Sequence, residues 1–346
     1  MDKLIFEIKR FFWLFAVFFV RIVFAKRNFK VPYLKSLYYN INGGFTSDQV
    51  ALYNLNKENK KEYLSEFDWY KSRKINYPNS YKLNNKIICA EMIKDIVYVP
   101  KTILKKESGI LSIDDNKRIT TEEAISIIKK EKSLFFKPIS IGKGIGIFRL
   151  DYKNNKFYID FREVREEKLK EILKTRDNYF ISTRISQSEY LDNIYEKTSN
   201  TIRLITVREN NKVKILFAVQ RLGTKETIPV DNGSKGGLVA NINLDTGKLS
   251  KAKSIHNNIE YEKHPDSNKT IEGVIVPNWE TIKKEMLKAA EKLPEFKFIA
   301  WDLLPSDNEF YVLEANNSSG VNIIQVFGGQ RNKELGNFYK QEKIIK

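Results

Sequence analysis

Cysteine and histidine are nearly missing from this chain of 346 residues: Cys89 stands alone, and His256 and His264 are the only histidines. A single thiol excludes an internal disulfide and any thiolate cluster, and two histidines argue against a zinc enzyme or a His-based triad. Long apolar runs are missing too. The longest, residues 11–25 (FFWLFAVFFVRIVFA), is interrupted by Arg21 and as a helix reaches only about 22 Å of a hydrocarbon core about 30 Å thick. It continues into Lys26 and Arg27 without a small-x-small cleavage site, so the chain reads as one retained in the cytoplasm. Residues 31–85 contain no Gly-rich strand-to-helix turn, which excludes a dinucleotide-binding unit there.

Positive charge is abundant, with 60 Lys and Arg against 43 Asp and Glu, a net +17. Enrichment of Lys together with Asn and Ile is the mark of an AT-rich coding sequence, although the charge also suits ATP, an acidic sugar or an anionic membrane. It is spread along the chain with no RNP-like or zinc-finger pattern, which argues against nucleic acid. Lys3, Arg10 and Arg21 fall within about 20° on a 3.6-residue wheel, and Lys26, Arg27 and Lys30 cluster beyond them. Residues 1–30 therefore suit a helix lying in a membrane surface, or one docked on the body or a second subunit.

Four regions follow: residues 1–30, a mostly helical stretch 31–85 with a helix over 47–63, and two mixed regions, 86–180 and 181–346. The periodicity predicts a helix at 86–96, a strand at 97–104, and a helix behind the capping-box residues Thr120 and Glu123. Strand patterns follow on either side of a glycine loop in 134–149, then a hairpin over 151–161 turning at Asn154-Asn155 and an exposed helix at 165–175. Further strands are expected at 179–185, 200–208, 212–222 and 238–249, with a helix at 280–293 before the last two strands, 297–304 and 309–316. Paired strands with interspersed helices give an α+β fold.

Asp302 closes the first of those last strands, and Glu314 and Asn316 lie two apart on the second, so the latter two project to one side. Residues 305–308 read as a hairpin loop that sets Asp302 opposite them. Three oxygen ligands on rigid strands suit Mg2+; an ordinary charged sheet edge is the alternative. Lys137 leaves a strand just before Gly142, Lys143, Gly144 and Gly146, bringing a cation and free backbone N–H groups to one place, as a polyphosphate needs; a plain glycine hairpin would look the same. Arg203 interrupts an apolar run and Arg221 continues the face of Ile215, Phe217 and Val219. A half-buried arginine needs an anion, either a structural carboxylate or a phosphate or substrate carboxylate. Residues 231–237 (DNGSKGG) read as a lid or an open turn, and His264 as a surface-loop residue or a substrate contact.

In order, these parts resemble the ATP-grasp enzymes, over about residues 86–329. FFKPISIGKGIGIF, NTIRLITV, FAVQRLG, KGGLVANINLDTGKL, IVPNW, AWDLL and VLEANNSSG together most resemble the sugar-transfer-associated branch, proteins assigned to cell-surface polysaccharide synthesis. The resemblance implies two α+β subdomains gripping ATP, with Mg2+, or Mn2+ in its place, on Asp302, Glu314 and Asn316. Lys86 and Lys137 match the phosphate-binding lysines, Gly142 to Gly146 the loop over the triphosphate, and Arg203 and Arg221 the groups on the γ-phosphate and substrate carboxylate. Residues 179–184, including Ile181, Ser182 and Thr183, match the adenine-reading linker, where many ATP-grasp ligases carry a glutamate; Glu189 is the candidate nearby. Residues 317–320 match the exit of the metal strand, whose N–H groups would face an oxyanion. The implied activity is a carboxylate–amine ligase acting on small-molecule or glycan substrates in surface or capsular polysaccharide synthesis. A kinase on the same fold and a non-catalytic membrane-associated scaffold are the alternatives.

Overall fold

The computed structural model describes residues 2–113, 117–142, 144–257 and 259–346. Among them, 14 strands form two seven-stranded sheets in which every ladder is antiparallel. The first contains β1 (Thr102–Glu107), β2 (Ile110–Ile113), β3 (Ser133–Pro138), β4 (Phe148–Lys153), β5 (Lys156–Ile159), β6 (Arg162–Val164) and β7 (Tyr179–Thr183), in the order β2-β1-β7-β3-β4-β5-β6. The second contains β8 (Ile202–Glu209), β9 (Lys212–Leu222), β10 (Leu238–Ile242), β11 (Leu249–Ser254), β12 (Glu260–Tyr261), β13 (Phe298–Pro305) and β14 (Phe310–Asn316), in the order β12-β11-β10-β9-β8-β13-β14. This is the expected α+β architecture.

Alternation decides which face of each sheet is covered. Leu134, Phe136, Leu150 and Ile181 of the first sheet pack on Ala124, Ile125 and Ile128 of the helix Thr121–Glu131 and on Leu169 and Leu173 of the helix Glu166–Thr175. Both helices bury a stripe at helical spacing. The first starts where expected, since Thr120 Oγ1 accepts the Glu123 N–H at 3.1 Å and the Glu123 carboxylate accepts the Thr120 N–H at 2.7 Å.

The second sheet is covered on both faces. Leu204, Ala218, Trp301 and Leu303 pack towards Ile282 and Met286 of the helix Trp279–Glu291 and Cys89 and Ile93 of the helix Lys86–Ile93, while Ile205, Val207, Phe298 and Ala300 meet Leu64, Phe338 and Tyr339. All eight residues of β13 are consequently buried, which explains its near-continuous apolar run. Asn76 fastens the outer layer: its side chain donates to Phe298 O at 2.6 Å and accepts the N–H groups of Lys297 and Phe298. Residues 33–84 are largely helical, and through Leu64, Asn76 and Val50 they form part of this outer layer.

Several boundaries move for local reasons. The single strand expected over 238–249 is two, β10 and β11, because Asn243 Oδ1 accepts the N–H groups of Asp245 and Thr246 and Gly247 takes φ +71°. Side chain-to-backbone bonding of this kind replaces a ladder with a turn. The helix expected over 47–63 stops at Leu52, with a 3₁₀ turn at Asn59–Glu62. Helical winding at the N-terminus runs from Asp2–Val17 into a π segment, Phe18–Val23. One of its faces docks on the body through Phe6 stacked on Tyr77, Trp13 against Tyr70 and Phe18 against Phe67. Arg10 turns inward to Lys71 O, whereas Arg21 stays exposed with its charge within reach of Tyr70. The Lys3 side chain lies outside the described residues. Among the described residues, no helix is long and apolar enough to cross a membrane.

Candidate active site

The strand ends and loops of both sheets enclose one cleft, lined by Lys86, Lys137, Gly142, Gly144, Arg221, Asp302 and Glu314 among others. Lys86 opens its helix behind Asn85, whose Oδ1 accepts the N–H groups of Ile87 and Ile88. That cap aims the lysine inward. Its Nζ donates to Ile141 O at 2.8 Å and lies 3.5 Å from Glu314 Oε2. Lys137, near the end of β3, is buried with its ammonium 5.7 Å and 5.8 Å from the ring centres of Phe135 and Phe180. Among the described residues no acceptor or carboxylate pairs with it. Burial pulls its pKa down to about 8, Lys86 pushes the same way, and Glu314 opposes them. A buried ammonium without a partner is a site that favours an incoming anion.

Three adjacent strands set the acidic centre, since Arg203 of β8 lies opposite Asp302 of β13, which lies opposite Glu314 of β14. Arg203 grips Asp302 with two nitrogens, Nε to Oδ1 at 2.5 Å and Nη2 to Oδ2 at 3.1 Å, and its Nη1 donates to Ser319 Oγ at 3.1 Å. Arg221 donates to Asp302 Oδ2 at 3.0 Å and to Asp231 Oδ1 at 2.6 Å. The other oxygen of Asp231 accepts both the N–H and the hydroxyl of Thr201 at 2.6 Å. Burial alone would raise the Asp302 carboxyl, but the Arg203 and Arg221 guanidiniums outweigh it and hold the group below its ordinary value. For Asp231 burial wins, and its carboxyl is raised despite Arg221. Burial disfavours the Arg221 charge, yet Asp231 and Asp302 raise its pKa overall.

These residues fit a hard cation. Asn316 Nδ2 lies 3.3 Å from Glu314 Oε1, so the two side chains share a face as the alternation predicts. Among the described residues no three His, Cys, Asp or Glu side chains gather into a metal-binding group. Two carboxylates and an amide oxygen could serve instead, since Mg2+ takes one or two carboxylates and leaves its other positions to phosphate oxygens and water. Asp302 Oδ1 accepts one N–H and keeps a lone pair, and rotating the Asn316 amide would present its oxygen.

Two loops meet over the cleft. Gly144 has φ +62°, and a Cβ there would come within 3.2 Å of Val230 Cγ2 and 3.4 Å of Asn232 Nδ2. Gly142 lines the opening, where a Cβ would have nothing within 4 Å, and at Gly146 a Cβ would approach Pro138. Lys143 lies outside the described residues. The expected lid, residues 231–237, is anchored at its start by buried Asp231 and continues as a 3₁₀ turn at Gly233–Lys235.

Other expected site residues are distributed differently. Ile181 packs into the first core, and β7 is hydrogen-bonded to β1 on one side and β3 on the other. Its backbone is occupied within the sheet there; Thr183, and Ile185 just beyond the stretch, line the cleft, while Phe180 and Ser182 line an adjoining cavity with Lys86, Lys137 and Glu314. Ser182 Oγ is buried without a hydrogen-bond partner among the described residues. Glu189 is exposed, its N–H bound to Asp307, and it does not line the cleft. His264, expected in a surface loop, is buried: its ring stacks on Tyr195 and its Nε2 lies 2.7 Å from Gly223 O. That carbonyl fixes the Nε2–H tautomer, and burial lowers the ring's pKa. Ser319 serves Arg203 through its hydroxyl. Sequence reasoning missed Asp231 and Thr201 as supports of Arg221; an acid heading an Asn-Gly loop was the available signal.

The model of the sugar-transfer associated ATP-grasp family matches residues 68–337. The chain belongs to this family. In this ATP-grasp protein the matched region starts before Lys86 and takes in the helix Ser80–Asn84 as well as both sheets. Similar solved structures include ATP-grasp ligase PsnB complexed with minimal precursor, at 13% identity over 77% of this chain and 62% of that one, TM-score 0.40. Others are the ADP complex of purK, an N5-carboxyaminoimidazole ribonucleotide synthetase (10%, 70% and 46%, TM-score 0.41), and N5-carboxyaminoimidazole synthetase from Staphylococcus aureus (10%, 69% and 45%, TM-score 0.38). The chain thus spans 62% of the first and under half of the other two. No curated protein matches the sequence.

Proposed function

We propose that this ATP-grasp protein is an ATP- and Mg2+-dependent carboxylate–amine ligase of surface or capsular polysaccharide synthesis, with Mn2+ able to replace Mg2+. A carboxylate oxygen of a uronic acid or amino acid attacks the γ-phosphorus, the bond to the bridging oxygen breaks, and ADP leaves. An amine nitrogen then attacks the acyl carbon of the acyl phosphate, inorganic phosphate departs, and the nitrogen loses a proton to give the amide. Chemistry of this kind needs positioning and charge neutralisation and no side-chain nucleophile, in keeping with the buried Cys89 and His264.

Lys137 carries this reading, as a buried lysine that lines the cleft, has its pKa lowered to about 8 and has no acceptor among the described residues. A triphosphate would supply the missing charge. Lys86 stands beside it, and Arg203 and Arg221 are positioned to exchange part of their hold on Asp302 for a γ-phosphoryl oxygen and a substrate carboxylate. Glu314, Asn316 and Asp302 would hold Mg2+, whose charge screens the phosphates. Closure of the Gly144 and Asn232 loops would keep water from the acyl phosphate. A setting at the inner face of the cytoplasmic membrane belongs to the same reading.

Hydroxylamine trapping tests it. With Mg-ATP, hydroxylamine and a panel of uronic and amino acids, a ligase yields a hydroxamate and ADP. A stable phosphoester on a hydroxyl would mark a kinase instead, and nucleotide binding without either product would leave the scaffold reading.

A further inference from the structure

The N-terminal helix covers the body with only one face. The docked side carries Phe6, Val17, Phe18 and Ile22, while Phe11, Phe12 and Phe15 on the other side are 65%, 65% and 60% exposed. Beside the π segment lies the helix Tyr33–Ile41, which exposes Leu34 at 78% and Ile41 at 64%. The π segment that links them exposes Phe19 and Val20 as well, and so much large apolar surface on two helices is more than a water-soluble surface usually leaves open.

Charge identifies what covers it. Between residues 4 and 41 six basic residues are exposed, Lys9, Arg21, Lys26, Arg27, Lys30 and Lys35, against one acid, Glu7, while Arg10 turns to the body. Arg27 lies 5.3 Å from the Tyr33 ring centre and Lys60 lies 5.3 Å from that of Tyr38, so cations border the second helix on two sides. A second copy of the chain would press like charges together, whereas an anionic bilayer accepts aromatic groups at its interface and cations at its headgroups. We propose that these two helices form one platform that seats the protein on an anionic membrane surface, with the helix Tyr33–Ile41 as much a part of it as residues 1–30. The proposal deepens the membrane setting given above, rests on the exposed surface, and is independent of the ligase chemistry.

Sedimentation of the full-length protein with vesicles tests it. On phosphatidylcholine vesicles containing about 30% phosphatidylglycerol the protein should pellet, and on phosphatidylcholine alone it should bind at least about tenfold more weakly. Phe12→Ser/Phe15→Ser and, separately, Leu34→Ser/Ile41→Ser should each weaken binding at least about fivefold, with the thermal midpoint and far-ultraviolet circular dichroism of the protein without nucleotide unchanged as the folding control. Three results would overturn the proposal: wild-type protein left in the supernatant, equal binding to neutral vesicles, or Leu34→Ser/Ile41→Ser binding like wild type. A dimer in light scattering that the same substitutions dissociate, without vesicle binding, would assign the patch to a second copy.

Discussion

Arg203 and Asp302 face each other across β8 and β13 and are joined by two parallel contacts, Nε to Oδ1 and Nη2 to Oδ2. Arg221 adds a third contact to the same carboxylate. Asp302→Asn would leave two largely buried guanidiniums short of a counter-charge, and removing one partner of such a network costs about 3 kcal/mol. Urea unfolding should show that loss. The folded carboxyl lies below its ordinary 3.8, so in wild type its contribution is complete above about pH 4 and is lost as pH falls through the folded value. Asp302→Asn should flatten the acid side of the stability profile.

Lys137 titrates within reach of ordinary assays. Its folded value of about 8 lies below the ordinary 10.5, so the unfolded chain binds more protons between the two, and its contribution makes stability rise from about pH 8 to 10.5. ATP favours the charged form. Nucleotide affinity should therefore weaken as pH rises through 8, and calorimetry in two buffers should find proton uptake near zero at pH 6.5 and approaching one at pH 9. Lys137→Met should weaken ATP binding by about 2 kcal/mol, the scale of a charge-assisted hydrogen bond, and abolish that proton uptake.

Glu314 joins β14 to Lys86, 3.5 Å away. Glu314→Gln keeps the shape and removes the charge. ATP turnover should fall at least about a hundredfold, the scale of losing a charge-stabilising group, while the thermal midpoint without nucleotide moves by only a few degrees. Added Mn2+ should restore little of the rate.

Gly144 combines a left-handed backbone with a close approach to Val230. Gly144→Ala strains the loop by about 1 kcal/mol, which should raise the KM for ATP several-fold and increase ADP formation without acceptor as water enters. A Gly142→Ala control, with open space around it, should change both less.

Much of the site was legible because it lies on strands. The two-residue alternation brought Glu314 and Asn316 to one face, and the short loop after Pro305 set Asp302 opposite Glu314. Lys137 was marked by its place between an apolar strand and three glycines. What the sequence concealed depends on tertiary contacts. His264 looked like a loop residue, and only the Tyr195 ring and the Gly223 carbonyl make it a buried one. Glu189 was chosen for its proximity along the chain, but the turn after β7 carries it to Asp307. Asp231 became visible only when β9 and its following loop brought it beside Arg221. The exposed face of Tyr33–Ile41 was hidden for another reason: its apolar residues are too few to stand out until the neighbouring helix extends the patch.

Nucleotide binding followed by thermal shift tests the central claim most directly, namely that Lys86, Lys137 and the Asp302–Glu314–Asn316 face form one Mg-ATP site. At about 100 times its Kd a ligand adds about 2.7 kcal/mol of stability. Wild-type protein should therefore melt several degrees higher with ATP and Mg2+, less so with ATP and EDTA, and Lys137→Met should lose most of the shift. An unchanged midpoint at millimolar Mg-ATP, or a full shift in Lys137→Met, would contradict the account.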